Sequence, residues 1–282
     1  MAVRIILDSS TDVAPALKGR FDVIPLPIYF GEEKYIDGVN LTHAEFYKKL
    51  KECGDRLPKT SQAAPFDYSE IYGKIADAGD KAVVLTISGK LSGTYQSAVI
   101  AAEHYAGKVF VVDSNTVTIG AGILAEYALR LADTGRSAEE IARLLEEKKG
   151  DVRLVARVDT LEYLKKGGRI SKTVAFAGEL LSFKPVVAVE NGEVVMLGKA
   201  RGAKQGNNLL EQEIGKAGGV DFGMPVLLGY SGTDDSMLKS YIEDFSRLWV
   251  GHADTLNISE IGSVVGTHAG PGAIAAAFFK KN

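Results

Sequence analysis

Lys81-Ala82-Val83-Val84-Leu85-Thr86-Ile87-Ser88-Gly89-Lys90-Leu91-Ser92-Gly93-Thr94 decides the architecture. Residues 81–87 form a near-continuous apolar run, the pattern of a strand buried on both faces. A Ser-Gly loop follows, and the sequence then predicts a helix over residues 94–104. The same grammar recurs at residues 109–112, which end in Asp113-Ser114 and lead to a helix over 120–132. Residues 3–7 are a β-branched run ending at Asp8, and Ser10 or Thr11 can cap a helical segment over 12–18. Strand and helix alternating in this way imply an α/β chain with a parallel, doubly wound sheet, whose loops gather at the carboxyl ends of the strands.

Between these units, residues 23–30 read as an extended run that Pro25 and Pro27 assign to an edge. A polar turn at 31–34 leads into Tyr35 and Ile36. Thr42 with Glu45 makes a capping box for a helix over 44–52. Residues 60–65 are loop, and Asp67 opens another helix. Beyond Gly150 the pattern changes. A strand at 153–158, a short helix at 160–166, a mostly apolar helix at 171–181, and an Asn191-Gly192 hairpin joining 186–189 to 194–196 follow, and the hairpin introduces antiparallel pairing. Helices at 204–216 and 236–249 alternate with strands at 225–229 and 255–258, and an apolar run, 273–279, closes the chain. Two domains are expected: residues 1–150, an α/β unit, and residues 151–282, an α+β unit with a mixed or antiparallel sheet.

The chain has 282 residues, 46% of them hydrophobic and 24% charged, with a formal net charge of -3. That balance assures a sizeable core and gives no support to a nucleic-acid or anionic-membrane partner. No basic, apolar and cleavable leader stands at the start, and no segment reaches the roughly 18 apolar residues of a membrane span, so a cytoplasmic location is expected. The single cysteine, Cys53, excludes an internal disulfide and a Cys-based metal cage, and reads as an inert surface thiol.

Small hydroxyl and glycine segments follow the hydrophobic runs: Asp8-Ser9-Ser10, Thr60-Ser61-Gln62, Ser88 to Thr94, Asp113-Ser114 and Gly266-Thr267-His268-Ala269-Gly270-Pro271-Gly272. Hydroxyls and backbone N–H groups at strand ends make a neutral cradle for an anionic head group. Ser92 stands where an N-cap hydroxyl belongs, and Gly89 and Gly93 allow close backbone approach. Thr60 and Ser61 add a second hydroxyl pair. His268, among glycines, is expected to face a ligand, whereas His43, His104 and His252 read as surface residues. Asp8, Asp12 and Asp113 are expected to cap rather than to act as general bases or metal ligands. Arg169 with Lys165, Lys166 and Lys172, and Arg201 with Lys199 and Lys204, form two basic clusters. No phosphate loop, nucleophile elbow or metal-ligand spacing is present. Three functions compete: a carrier without chemistry of its own, an acyl-transfer or hydrolytic enzyme using Ser92 as nucleophile and His268 as base, and an interaction domain using the Arg169 and Arg201 faces.

Taken in order, Asp8-Ser9-Ser10, Lys59-Thr60-Ser61-Gln62 with Pro65, Leu91-Ser92-Gly93-Thr94-Tyr95-Gln96-Ser97-Ala98, Asp113-Ser114, Gly168-Arg169-Ile170-Ser171 and Ile261 to Gly272 resemble the DegV family. Those bacterial fatty-acid-binding proteins include the FakB component of fatty-acid kinase. The resemblance runs almost the whole chain, with departures at Ala63-Ala64 and Thr118-Ile119. It implies a two-domain protein that needs no cofactor and buries one long-chain, palmitate-like fatty acid between its domains. Thr60, Ser61, Ser92 and Gly93 would hold the carboxylate, with His268 from the second domain, and residues 174–181 and 273–279 would wall the tail. Arg169 and Arg201 match the family's kinase-contact arginines. The partner implied is a separate ATP-dependent fatty-acid kinase that makes the acyl phosphate for phospholipid synthesis.

Overall fold

The computed structural model describes residues 2–170 and 183–281, so the helix expected over 171–181 and the tail wall over 174–181 lie outside the described residues. β1 (Val3–Asp8) carries the first β-branched run, and β2 (Asp22–Ile24) pairs with it in parallel at the sheet edge. Between them the helix expected over 12–18 is only a three-residue 3-10 turn, Pro15–Leu17. Pro15 supplies no N–H and disfavours helical backbone at Ala14. The Ser10 hydroxyl, expected to cap that helix, bonds the Asp8 carboxylate instead.

The run expected over 23–30 is split at its prolines. After β2 the chain leaves the parallel sheet, and β3 (Pro27–Phe30) becomes the middle strand of a small antiparallel sheet. Its neighbours are β4 (Glu33–Ile36) and, beyond the capping-box helix α1 (His43–Glu52), β5 (Lys59–Thr60). The edge reading thus holds for β2 and is corrected for β3, where Pro27 occupies the first residue of a strand and forfeits little pairing. α2 (Pro65–Asp77) starts two residues before Asp67, because Pro65 fits the first helical position and Asp67 accepts the Ala64 N–H at 2.8 Å.

β6 (Lys81–Thr86), α3 (Thr94–Ala102), β7 (Val109–Asp113) and α4 (Thr118–Asp133) follow, and the parallel sheet takes the order β2-β1-β6-β7. Side chains alternate across it. Ile6 and Val84 pack with Phe46, Tyr68 and Tyr72 of α1 and α2, whereas Ile5, Leu7, Val83 and Leu85 pack against α4 and α5 (Ala138–Lys148). α5 was not expected, although Ser137 and Glu140 form a complete capping box at its start.

The second half begins with β8 (Val152–Arg157), α6 (Glu162–Lys166), β9 (Phe183–Glu190) and β10 (Glu193–Arg201). Asn191 and Gly192, at φ 50° and 82°, make the hairpin turn whose two positive φ values the Asn-Gly pair suits. α7 (Gly202–Lys216), β11 (Leu227–Tyr230), α8 (Ser236–Asp244), β12 (Asn257–Glu260), α9 (Ser263–Ala269) and β13 (Ile274–Phe279) complete the chain. α8 is shorter than expected, since residues 246–249 continue as a 3-10 turn. The six strands form a mixed sheet, β10-β9-β8-β13-β11-β12, in which only β11 and β12 pair in parallel.

α4 joins the two sheets. Its Ile119 and Ile123 share one core with Ile5 and Leu7 of the first sheet and with Leu154, Leu227 and Ala275 of the second. Gly122 brings α4 against the loop after β1, since a Cβ there would lie 2.0 Å from the Asp12 carbonyl oxygen. On the far face of the second sheet, Ile274, Ala276 and Phe278 of β13 pack with Tyr241 and Trp249. No helix among the described residues is long and apolar enough to cross a membrane.

Candidate functional site

A cavity of about 320 Å³ opens between the halves, and Thr60, Ser61, Ser92, Gly93, His268 and Arg169 all stand in its wall. The backbone explains how they meet. β5 pairs Thr60 with Ile28, and the Ser61 N–H donates to Pro27 at 3.1 Å, which fixes the first hydroxyl loop against β3. The second loop turns tightly after β6, with the N–H groups of Leu91 and Ser92 both donating to the Ser88 carbonyl. Gly93, not Ser92, is the N-cap residue of α3. The Ser92 hydroxyl still accepts the Thr94 N–H at 3.3 Å and bonds the Thr94 hydroxyl at 2.8 Å. Gly93 lets the loops touch, because a Cβ there would fall 1.8 Å from the Gln62 amide oxygen. The Gln62 amide nitrogen donates onward to Ser97 at 2.9 Å.

His268 arrives on the last turn of α9 rather than on an open glycine loop, and its Nε2 lies 3.0 Å from Thr60 Oγ1. Burial, assisted by the nearby Arg169 guanidinium, pushes the imidazole down to about 4, so it is neutral at neutral pH. With the proton on Nε2 the ring donates to Thr60, whose own hydroxyl proton is then free for a ligand oxygen. Gly167 backs the ring, since a Cβ at that position would lie 2.3 Å from Nδ1.

The cradle is less neutral than expected. Arg169 is the one full charge among the described residues of the wall, and no carboxylate lines it. Its guanidinium donates to the carbonyls of Gly167 at 2.6 Å and Leu91 at 3.3 Å, tying the loop after α6 to the hydroxyl loop of the first half. Arg201, the other arginine expected to meet a partner, is exposed at the end of β10 and outside this wall. Away from these groups the lining is aliphatic apart from Thr118, whose hydroxyl donates to Asp12: Leu26, Ile87 and Val117 come from the first half, and Leu154, Val187 and Val264 from the second. Ala273 and Ala275 of the run expected to wall a tail contribute small side chains.

The rival Ser92–His268 pair lacks its defining contact. Each residue bonds a threonine, they make no hydrogen bond to one another, and His268 Nδ1 is buried without a partner among the described residues where a triad would supply a carboxylate. Among the described residues no group of three or more His, Cys, Asp or Glu side chains could hold a metal ion.

The aspartates bond backbone amides in loops rather than capping a first helical turn. Asp8 accepts the N–H of Ile87 at 2.8 Å, Asp113 that of Gly89 at 3.1 Å, and Asp12 that of Gly262, just before α9, at 3.0 Å. His104 is exposed, but the surface reading is corrected for two other histidines. His43 is half-buried, 3.3 Å from Glu260, and His252 stacks on Phe222 with ring centroids 4.0 Å apart. Cys53 is partly buried and donates to Leu50, and burial raises its thiol, as suits an inert side chain. Gln62 and Thr94, quoted among the hydroxyl segments, carried no assigned contact, and Gly167 carried none either. Gln62 beside Thr60-Ser61 and the Gly167-Gly168 pair before Arg169 were the signals available.

The family model for the DegV family, described as uncharacterised proteins, matches residues 2–281. A DegV domain-containing protein of Deinococcus radiodurans is 33% identical over 283 residues, covering 98% of each chain. A Thermotoga maritima protein named fatty acid-binding protein is 31% identical over 281 residues, 97% of this chain and 96% of the relative. A solved Thermus thermophilus structure, described as fatty acid binding of a DegV family protein, superimposes with a TM-score of 0.86 at 32% identity. It covers 99% of this chain and 100% of its own. With a family match over nearly every residue and relatives aligned from end to end, the chain belongs to the DegV family.

Proposed function

We propose that this protein binds one long-chain fatty acid, such as palmitate, between residues 1–150 and residues 151–282. In this reading Thr60, Ser61, Ser92, Gly93 and His268 hold the carboxylate, and the protein presents it to a separate ATP-dependent fatty-acid kinase in the cytoplasm. The observation that carries the proposal is the form of the cavity: hydroxyls, a neutral imidazole and one guanidinium gathered together, and walls that are aliphatic elsewhere except for Thr118. The names of the Thermotoga maritima and Thermus thermophilus relatives support the same ligand class.

The division of labour is physical. Burying roughly fourteen methylenes at about 0.8 kcal/mol each gives on the order of 10 kcal/mol of gross transfer free energy, reduced by association and ordering. The tail supplies affinity, and the head site sets orientation. Arg169, beside the polar end, offers charge complementarity to the carboxylate and afterwards to an acyl phosphate. Arg201, exposed, is available to the kinase. Titration of delipidated protein with palmitate, followed by phosphorylation with a bacterial fatty-acid kinase and ATP, tests both parts. Saturable binding and acyl phosphate formation that depends on this protein are expected. Absence of binding rejects the proposal, and binding without phosphorylation rejects the kinase role.

A further inference from the structure

A second cavity, of about 440 Å³, adjoins the first, and Leu154, Ala188 and Val189 line both. None of the proposed head-group residues borders it, and the three shared residues belong to the apolar lining of the first cavity. Strand pairing explains its place. β8 and β9 pair only through Val155, Ala156 and Arg157 against Ala188, Val187 and Val186. Over the start of β8 and the end of β9 the strands part, and the second cavity occupies the gap, bounded beyond it by Glu213 and Lys216 of α7.

Its lining is polar where the first is aliphatic. Lys149 and Lys216 are held by Glu146 at 2.6 Å and Glu213 at 2.7 Å. Arg153 donates only to the carbonyls of Gly150 and Val152, and makes no ion pair among the described residues. Asn115 and Glu190 add an amide and a carboxylate to the wall. Donors and acceptors are thus both present beside the tail region, with no dominant charge.

We propose, resting on the fatty-acid reading above, that the far end of the acyl chain passes between the parted strands into this chamber. The protein then accepts long-chain fatty acids with a hydroxylated terminus. In a closed aliphatic cavity an unpaired buried hydroxyl weakens binding by roughly tenfold or more. A chamber lined by Arg153 and Asn115 satisfies it.

The test compares 16-hydroxyhexadecanoic acid with palmitic acid by calorimetric titration of the delipidated protein. The expected result is an affinity for the hydroxy acid within about threefold of that for palmitate. Arg153→Met, outside the first cavity, should then weaken the hydroxy acid about fivefold and leave palmitate unchanged. Palmitate bound at least tenfold more tightly than the hydroxy acid overturns this inference alone, as does an equal effect of Arg153→Met on both acids. Failure to bind either acid overturns it together with the fatty-acid reading.

Discussion

Thr60 Oγ1 lies 3.0 Å from His268 Nε2, a single contact that joins β5 of the first half to the last turn of α9 in the second. It places the hydroxyl loop and the imidazole on the same side of the cavity, and with the proton on Nε2 it leaves the Thr60 hydroxyl proton free for the carboxylate of the proposed ligand. Thr60→Val keeps the shape and deletes the oxygen, leaving Nε2 buried without a partner at a cost of about 1–3 kcal/mol. The expected outcome is a lowered melting temperature and roughly tenfold weaker palmitate binding, read by thermal denaturation and calorimetry. Unchanged values for both would detach Thr60 from the head-group site.

The depressed His268 sets a pH window. Its unfolded value is near 6.5 and its folded value about 4, so the folded state binds fewer protons. The stability it contributes is complete above about pH 6.5 and is lost as pH falls toward 4, by on the order of 3 kcal/mol. His268→Gln, which retains a hydrogen-bonding amide, should escape that loss. Urea denaturation at pH 7.5 and pH 4.5 would show the variant gaining on the wild type at the lower pH. A constant difference between them would contradict a buried neutral imidazole.

Asp12 acts in the opposite sense. Burial is the main cause that raises it from 3.8 to about 7, against hydrogen bonds from Thr118 and the Gly262 N–H and the charge of His43, while Asp37 adds to the rise. The folded state holds this proton more tightly, so the associated stability is present below pH 3.8 and disappears as pH rises through 7. Asp12→Asn cannot ionise. Its stability relative to the wild type should therefore increase between pH 5 and pH 8, by on the order of 2 to 3 kcal/mol. Equal differences at the two pH values would place the carboxylate in a better-solvated setting.

Gly192 closes the hairpin against the first half. Its φ is +82°, a Cβ would lie 2.5 Å from both Asn115 Oδ1 and Ser88 Oγ, and the Ser88 hydroxyl donates to its carbonyl at 2.8 Å. Gly192→Ala should destabilise by about 1–2 kcal/mol from backbone conformation, with a further loss from the displaced contacts. Gly31, at φ +63° with nothing near it, isolates the backbone part. The midpoint shift for Gly192→Ala should exceed that for Gly31→Ala. The reverse order would mean that the hairpin tip does not seat on Ser88.

Strands buried on both faces were the most legible part of the sequence: residues 81–87 and 109–112 announced β6 and β7, and Asn191-Gly192 announced a turn with the φ values observed. Features set by distant partners were harder to read. Pro25 and Pro27 signalled extended chain but not the transfer of β3 to another sheet, which depends on pairing with β5 some thirty residues later. α9 was hidden because Gly262, Gly266 and Gly270 resemble a loop. It is held by the Gly262 N–H bond to Asp12 and by Tyr47, whose hydroxyl donates to the Ile261 carbonyl at 2.7 Å. The hydroxyl residues of the candidate site were legible as types at strand ends. That Arg169 turns into the cavity wall instead of outward was not, because the two carbonyls that hold it, Gly167 and Leu91, carry no side-chain signature.

Native mass spectrometry of the protein purified from a bacterial host, before any delipidation, tests the central claim most directly. The account predicts a one-to-one adduct whose released mass is a long-chain fatty acid, diminished in Ser92→Ala protein that melts close to the wild type. A bare polypeptide mass that stays bare after incubation with palmitate would contradict it.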